Sequence, residues 1–247
     1  MSAQGSEAWF AARLGRVGAS RVADIVARTK SGYSTSRENY AVELALERLT
    51  GQRADSYQNA AMQWGTETEP MARAAYEATT GVMVTECGSI PHPRIEMAGA
   101  SPDGLIGVDG LMEIKCPNSA THINTLRSRK PDGKYITQMQ WQMACTERAW
   151  CDFASYDPRM PEGLELFVTR IERDDAMIAD LEAEVIKFLG EVDAMVAELL
   201  ALMDGRAEYV APKISAQPEK SAAEKVVIDR PAKKSPDQKM SDEWKLE

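Results

Sequence analysis

Asp103 and the pair Glu113 and Lys115 lie within one short stretch, SPDGLIGVDGLMEIKCP, residues 101–117. In a β-strand, residues two apart project to the same face. Glu113 and Lys115 therefore point together, while Met112 and Ile114 point the other way, toward a core. Pro102 pins the chain before Asp103, and Asp109-Gly110 signals a hairpin turn that would return Asp103 to the far end of the Glu113 strand. Two carboxylates then converge beside one ammonium. Like charges in a cleft raise each other's pKa unless a cation lies between them, and hard oxygen ligands suit Mg2+ or Mn2+. Magnesium keeps several waters and takes substrate phosphates as further ligands, so the pattern points to attack of a metal-activated water on phosphorus. Lys115 would position and help deprotonate that water, or balance charge on the pentacoordinate phosphorus. The bare pattern also fits a surface strand with Glu and Lys in solvent. An EF-hand does not fit, because Leu105 and Gly107 stand where that loop needs oxygen ligands. Rossmann and P-loop readings lack their glycine spacings.

The elements that must position these residues follow from periodicity. Thr35 and Glu38 have capping-box spacing, with Val42, Ala45, Leu46 and Leu49 at helical intervals up to Gly51. A second helical region runs through MQWGTETEPMARAAYEATTG, where Pro70 starts or kinks a helix and Gly81 ends it; Glu69 sits at that junction. From Val82 to Cys116 the runs are short and β-prone. Helices are predicted over Thr121–Arg129 and Tyr135–Thr146, then strands in AWCDFASY and LELFVTRIE. This order predicts an α/β domain over residues 1–205, with a central sheet flanked by helices. A long helix from Asp174 to Met203 carries Ile178, Leu181, Val185, Phe188, Val192, Met195, Leu199 and Leu202 at 3-4 spacing. That is either a coiled-coil seam or an amphipathic helix on its own domain, and the lack of flanking charges of both signs favours the second. Residues 206–247 shift to Lys, Glu, Pro, Ser and Ala, which predicts a disordered tail whose Trp244 either anchors a partner or is incidental.

The chain has 247 residues, 44% of them hydrophobic and 27% charged, an ordinary globular composition. No apolar run approaches the roughly 18 residues of a membrane span, so the expected location is the cytoplasm, with four reduced cysteines. The net charge of −9 is unevenly spread. Asp174 to Gly205 holds nine acids against Lys187 alone. Arg13 to Arg37 holds six bases against Asp24, and Lys115, Arg127, Arg129, Lys130 and Lys134 face only Asp132. Such stretches are phosphate-binding surfaces or ordinary solvated faces.

SPDG followed by EIKCP resembles the PD-(D/E)xK nuclease core in the form it takes in the bacteriophage lambda exonuclease family, the YqaJ-type viral recombinases. EAWFAARLGRVGAS, WGTETEPMARAAYEATTG, YITQMQWQMACTERAWCDFASYDPRM and VTRIERDD resemble the family's other segments in the family's order. The resemblance implies a restriction-endonuclease-like core with a mixed sheet, in which Asp103, Glu113 and the Ile114 carbonyl bind Mg2+, for which Mn2+ can substitute. Glu69 would complete the metal site and Lys115 would be the catalytic lysine. Gln140 matches the motif's helical glutamine, with Gln138 the nearby alternative. Arg13, Ser20 and Ser101 match positions that hold the 5′-phosphate of a DNA end, although Ser20 also suits a helix cap and Ser101 a turn. Trp9 is either a wedge at the duplex end or a core residue; Trp64, Trp141 and Trp150 are assigned to packing. The implied activity is 5′ to 3′ degradation of linear double-stranded DNA to mononucleotides. It would leave 3′ single strands for a strand-annealing partner in phage-type recombination. A ring-shaped trimer is implied as well, with the acidic last helix facing outward. The rivals are a nuclease of other polarity or endonucleolytic habit, and an inactive DNA-end-binding scaffold.

Overall fold

The computed structural model describes residues 4–54, 60–203 and 205; the expected disordered tail, with Trp244, lies outside the described residues. The chain begins with α1 (Glu7–Arg13), β1 (Val17–Gly18), a 3-10 turn (Ala19–Arg21) and α2 (Val22–Val26). A small hairpin, β2 (Arg28–Thr29) and β3 (Gly32–Tyr33), leads into α3 (Thr35–Thr50) and α4 (Ala60–Thr80). Five short strands follow: β4 (Val84–Thr85), β5 (Ile90–Pro91), β6 (Ala98–Ala100), β7 (Gly104–Ile106) and β8 (Gly110–Lys115). The described chain ends with α5 (Ser119–Ser128), α6 (Gly133–Thr146), β9 (Trp150–Tyr156), β10 (Leu166–Glu172) and α7 (Asp175–Met203).

Among the described residues the main sheet runs β10-β9-β8-β7-β4, and a smaller sheet runs β1-β6-β5. β8 pairs parallel with β9 and antiparallel with β7, so the sheet is mixed, as expected. Helices cover both faces of β8. Leu111 packs with Met139, Met143 and Phe153 on the α6 side, and Met112 and Ile114 pack with Ala72 and Tyr76 on the α4 side. That double burial explains why β8 reads as nearly continuous apolar sequence broken by Glu113 and Lys115.

Local details differ from the sequence expectations. The helix N-cap is Ser34, whose Oγ accepts from the Ser36 N–H, so Thr35 is already helical. Pro70 lies inside the single helix α4, which ends before Gly81 in the left-handed region, φ 70°. The hairpin turns at residues 107–109, with Gly107 at φ 53°, because Ile106 pairs with Gly110. Gly110 is needed for another reason: a Cβ there would lie 2.2 Å from a ring carbon of Trp150.

α7 lies on its own domain. Ile178, Leu181, Val185, Phe188, Leu189 and Val192 are buried, and Phe188 stacks on Tyr40 with ring centroids 5.4 Å apart. Its acids do not simply face outward. Glu184 pairs with Arg28 at 2.9 Å, Glu191 with Arg37 at 2.9 Å and Asp193 with Arg48 at 2.5 Å. Two of the six bases between Arg13 and Arg37 are thereby paired within the domain.

Candidate active site

β7 starts at Gly104, so the strand pairing beside β8 stops one residue short of Asp103. The Asp103 side chain continues it, with Oδ2 accepting from the Ile114 N–H at 2.7 Å. A strand residue's N–H and C=O point to the same edge, so the Ile114 carbonyl faces the edge that Asp103 occupies. Burial, and after it the charge of Glu113, push the Asp103 carboxyl well above the usual carboxylate range; Lys115 and the Ile114 N–H oppose them.

Glu113 is fully buried on the α6 face and saturated with donors. Its Oε1 accepts from Gln138 Nε2 at 2.6 Å and pairs with Lys115 Nζ, while Oε2 accepts from Gln142 Nε2 at 2.6 Å. Burial disfavours the Lys115 ammonium, but Glu113 and then Asp103 outweigh it and raise the pKa, so Lys115 stays charged. Gln140 does not reach this cluster. Its Nε2 donates to the Glu172 carbonyl at 2.8 Å and its Oε1 accepts from the Asp174 N–H at 2.9 Å. The reason is helical phase: Gln138 and Gln142 stand one turn apart on one face, and Gln140 lies about 200° away from Gln138. Sequence reasoning missed Gln142, although four-residue spacing from Gln138 was the available signal.

Glu69 comes from mid-α4. Its Oε1 accepts from Arg73 Nη2 at 2.9 Å, and the same nitrogen donates to the Asp103 carbonyl at 3.3 Å. Burial raises the Glu69 pKa; Arg73 opposes this and Glu113 adds to it. Glu69 and Asp103 line one end of a groove of about 920 Å3, and Arg13, Ser20 and Trp9 line it elsewhere. Arg13 Nη1 and Trp9 Nε1 both donate to Ser101 Oγ, at 3.0 and 3.1 Å, and the guanidinium lies 4.2 Å from the Trp9 ring centroid. Trp9 is therefore a half-buried groove residue rather than a core one. Ser20 is exposed in the 3-10 turn and is not a helix cap, since Arg21 precedes α2 without a side-chain cap. Of the other tryptophans, Trp141 is fully buried, and Trp64 and Trp150 are half-buried beneath Arg159 and Arg170.

Among the described residues no three His, Cys, Asp or Glu side chains gather closely enough to cage an ion. Glu69 is drawn to Arg73, and Glu113 to Lys115 and two amides. The donor chemistry still fits a hard cation. Three carboxylates whose charges act on one another, plus a main-chain carbonyl edge, form an oxygen-only set of the kind Mg2+ takes.

Residues 8–149 match the model of the YqaJ-like viral recombinase domain, a span that includes every acid, lysine and glutamine of this cluster. LHK-Exo, an alkaline exonuclease from Laribacter hongkongensis, is 56% identical, covers 82% of this chain and 100% of its own, and superposes with a TM-score of 0.76. Its complex with dAMP gives 0.77 at the same identity and coverage. A phage-related exonuclease from Haemophilus somnus 129PT, 17% identical over 74% of this chain and 96% of its own with a TM-score of 0.62, shares the fold alone. ExoD from Escherichia coli (strain K12) is 38% identical over 66 residues, 26% of this chain and 74% of that protein. The fold is the PD-(D/E)xK type that the sequence implied, and the chain belongs to the YqaJ-like viral recombinase family.

Proposed function

We propose that this protein is a metal-dependent exonuclease that degrades linear double-stranded DNA from 5′ ends, releasing mononucleotides and leaving 3′ single strands for recombination. The observation that carries the reading is that one groove joins Arg13, which bonds Ser101, to Glu69 and Asp103, two carboxyls on which the charges of Glu113 and Lys115 act. The likeness to an alkaline exonuclease over that protein's whole length supports it.

Asp103, Glu113, Glu69 and the Ile114 carbonyl would hold Mg2+, which when bound supplies a Lewis acid and a water of lowered pKa. The Arg13 guanidinium and the hydroxyls of Ser101 and Ser20 bind the terminal phosphate, a fork and two small donors suited to its oxygens. Lys115, held as an ammonium, stabilises the negative charge that builds on phosphorus during attack. Gln138 and Gln142 fix the Glu113 carboxylate, so its orientation does not depend on substrate.

Linear duplex labelled separately at its 5′ and 3′ ends tests the reading. Early, Mg2+-dependent release of the 5′ label as mononucleotide, with closed circles left intact, is expected. Nicking of circles, or early 3′ release, would reject this activity, and DNA binding with no cleavage would favour an inactive scaffold. The proposal includes the ring-shaped trimer and the strand-annealing partner that the family implies, and light scattering of the purified chain tests the trimer. No described helix is long and apolar enough to cross a membrane.

Two substitutions probe separate parts of the groove. Arg13→Ala is expected to abolish the preference for 5′-phosphorylated over 5′-hydroxyl ends while sparing hydrolysis itself; competition between the two substrates measures it. Gln142→Met removes a donor to Glu113 Oε2 and is expected to lower metal affinity or activity by about 10- to 100-fold, as loss of a group that orients a metal ligand does. Titrating cleavage with Mg2+ reads the shift.

A further inference from the structure

We propose that the end of α5 and the α5–α6 connection form a second DNA-contact surface, which carries the phosphodiester backbone beyond the phosphate being cut. This rests on the nuclease reading above. Arg127, Arg129, Lys130 and Lys134 are exposed there, and among the described residues none of them pairs with a carboxylate. The contrast within the chain is direct, because Arg28, Arg37 and Arg48 are each neutralised by an acid of α7. Asp132 is the only acid between Arg127 and Lys134, and it is engaged as the α6 cap, its Oδ1 accepting from the Lys134 N–H at 3.0 Å. Four cations in eight positions thus stay without an ion-pair partner among the described residues, beside one acid, on a protein whose net charge is −9.

One further observation sets this patch apart from an ordinary solvated loop. The patch reaches the reactive lysine through one aromatic ring. Lys134 Nζ lies 4.9 Å and Lys115 Nζ 5.2 Å from the Tyr135 ring centroid, and that ring is steadied by stacking on Phe153 at 5.8 Å. The groove lining, by contrast, reaches Asp103 but includes neither Lys115 nor Tyr135. On this proposal a strand engaged at Lys115 would meet these cations next, through the Tyr135 ring that Lys115 and Lys134 share. Exposed arginines and lysines beside an aromatic ring are the groups that track a phosphate backbone.

The test is the triple variant Arg127→Gln, Arg129→Gln, Lys130→Gln, compared with wild type. Binding of 5′-phosphorylated duplex, fully paired or with a 3′ single-stranded extension, is followed by fluorescence anisotropy in EDTA over a range of salt. Site chemistry is read separately with Mg2+ and a small chromogenic ester, thymidine 5′-(p-nitrophenyl phosphate), too short to reach the patch. The variant is expected to bind DNA about tenfold more weakly near 0.1 M salt, with a salt slope reduced by about 2, since each lost contact removes about 0.7 to 0.9. Hydrolysis of the small ester should be unchanged. A loss confined to the extended substrate assigns the patch to the single strand, and an equal loss on both assigns it to the duplex. Unchanged affinity and slope on both substrates would overturn the surface. If wild type binds DNA but cleaves neither DNA nor ester, the nuclease reading fails while the binding comparison still judges the patch.

Discussion

Lys115→Ala is expected to lower metal-dependent cleavage of linear duplex about a thousandfold while the domain stays folded, because on the proposed reading it deletes the ammonium that stabilises charge on phosphorus. Glu113 and then Asp103 raise the Lys115 pKa against the effect of burial, which suits a charge-stabilising role. The variant also leaves Glu113 buried with two amide donors and no cation. Because the Lys115 side chain is 26% exposed, the stability loss should fall below the ~3–5 kcal/mol of a fully buried pair. Single-turnover cleavage beside a thermal melt separates the two effects. A variant cutting at the wild-type rate would remove the lysine from the mechanism.

Trp141→Ala is expected to destabilise the domain by about 3–5 kcal/mol, the cost of emptying a large aromatic site in a packed core. The ring is fully buried and stacks on His92 at 5.0 Å, and Nε1 donates to the Gly99 carbonyl at 3.2 Å. Gly99 is in β6, which pairs with β1 and runs on to Ser101, whereas Trp141 shares α6 with Gln138 and Gln142. One side chain therefore ties the strand that leads to Ser101 to the helix that holds Glu113. Urea unfolding measures the change, and a loss under about 1 kcal/mol would contradict this anchoring role.

The reactive strand was legible in the sequence because period-two alternation depends only on backbone geometry. It put Glu113 and Lys115 on one face and Met112 and Ile114 on the other, where the structure has them. Gly81 was legible as a helix stop for a similar reason, since a left-handed cap favours glycine, which has no side chain to strain. The turn was misplaced because Asp109-Gly110 looks like hairpin chemistry, whereas Gly110 answers to the Trp150 ring, a neighbour set by a distant strand pairing. Gln140 was chosen over Gln138 by resemblance alone, because nothing local fixes which face of α6 turns toward the sheet. That phase is set by Met139 and Met143 packing beside Leu111 and Phe153, a tertiary fact. The pairing of α7 acids with N-terminal arginines was equally out of reach, for it joins residues from opposite ends of the domain.

β8 is bounded by two kinds of neighbour: β7, one turn earlier in the chain, and β9, which joins it in parallel only after α5 and α6 have been laid down. Hairpins close in microseconds, but parallel pairing across a helical crossover must first overcome the entropy of closing a long loop. The β7–β8 hairpin can thus close early, while Glu113 has neither its two amide donors nor a closed wall until α6 and β9 dock. On the ribosome, the growing chain exposes a half-built centre until most of its length has been translated. On the proposed nuclease reading, cleavage would then require that last packing step of the domain.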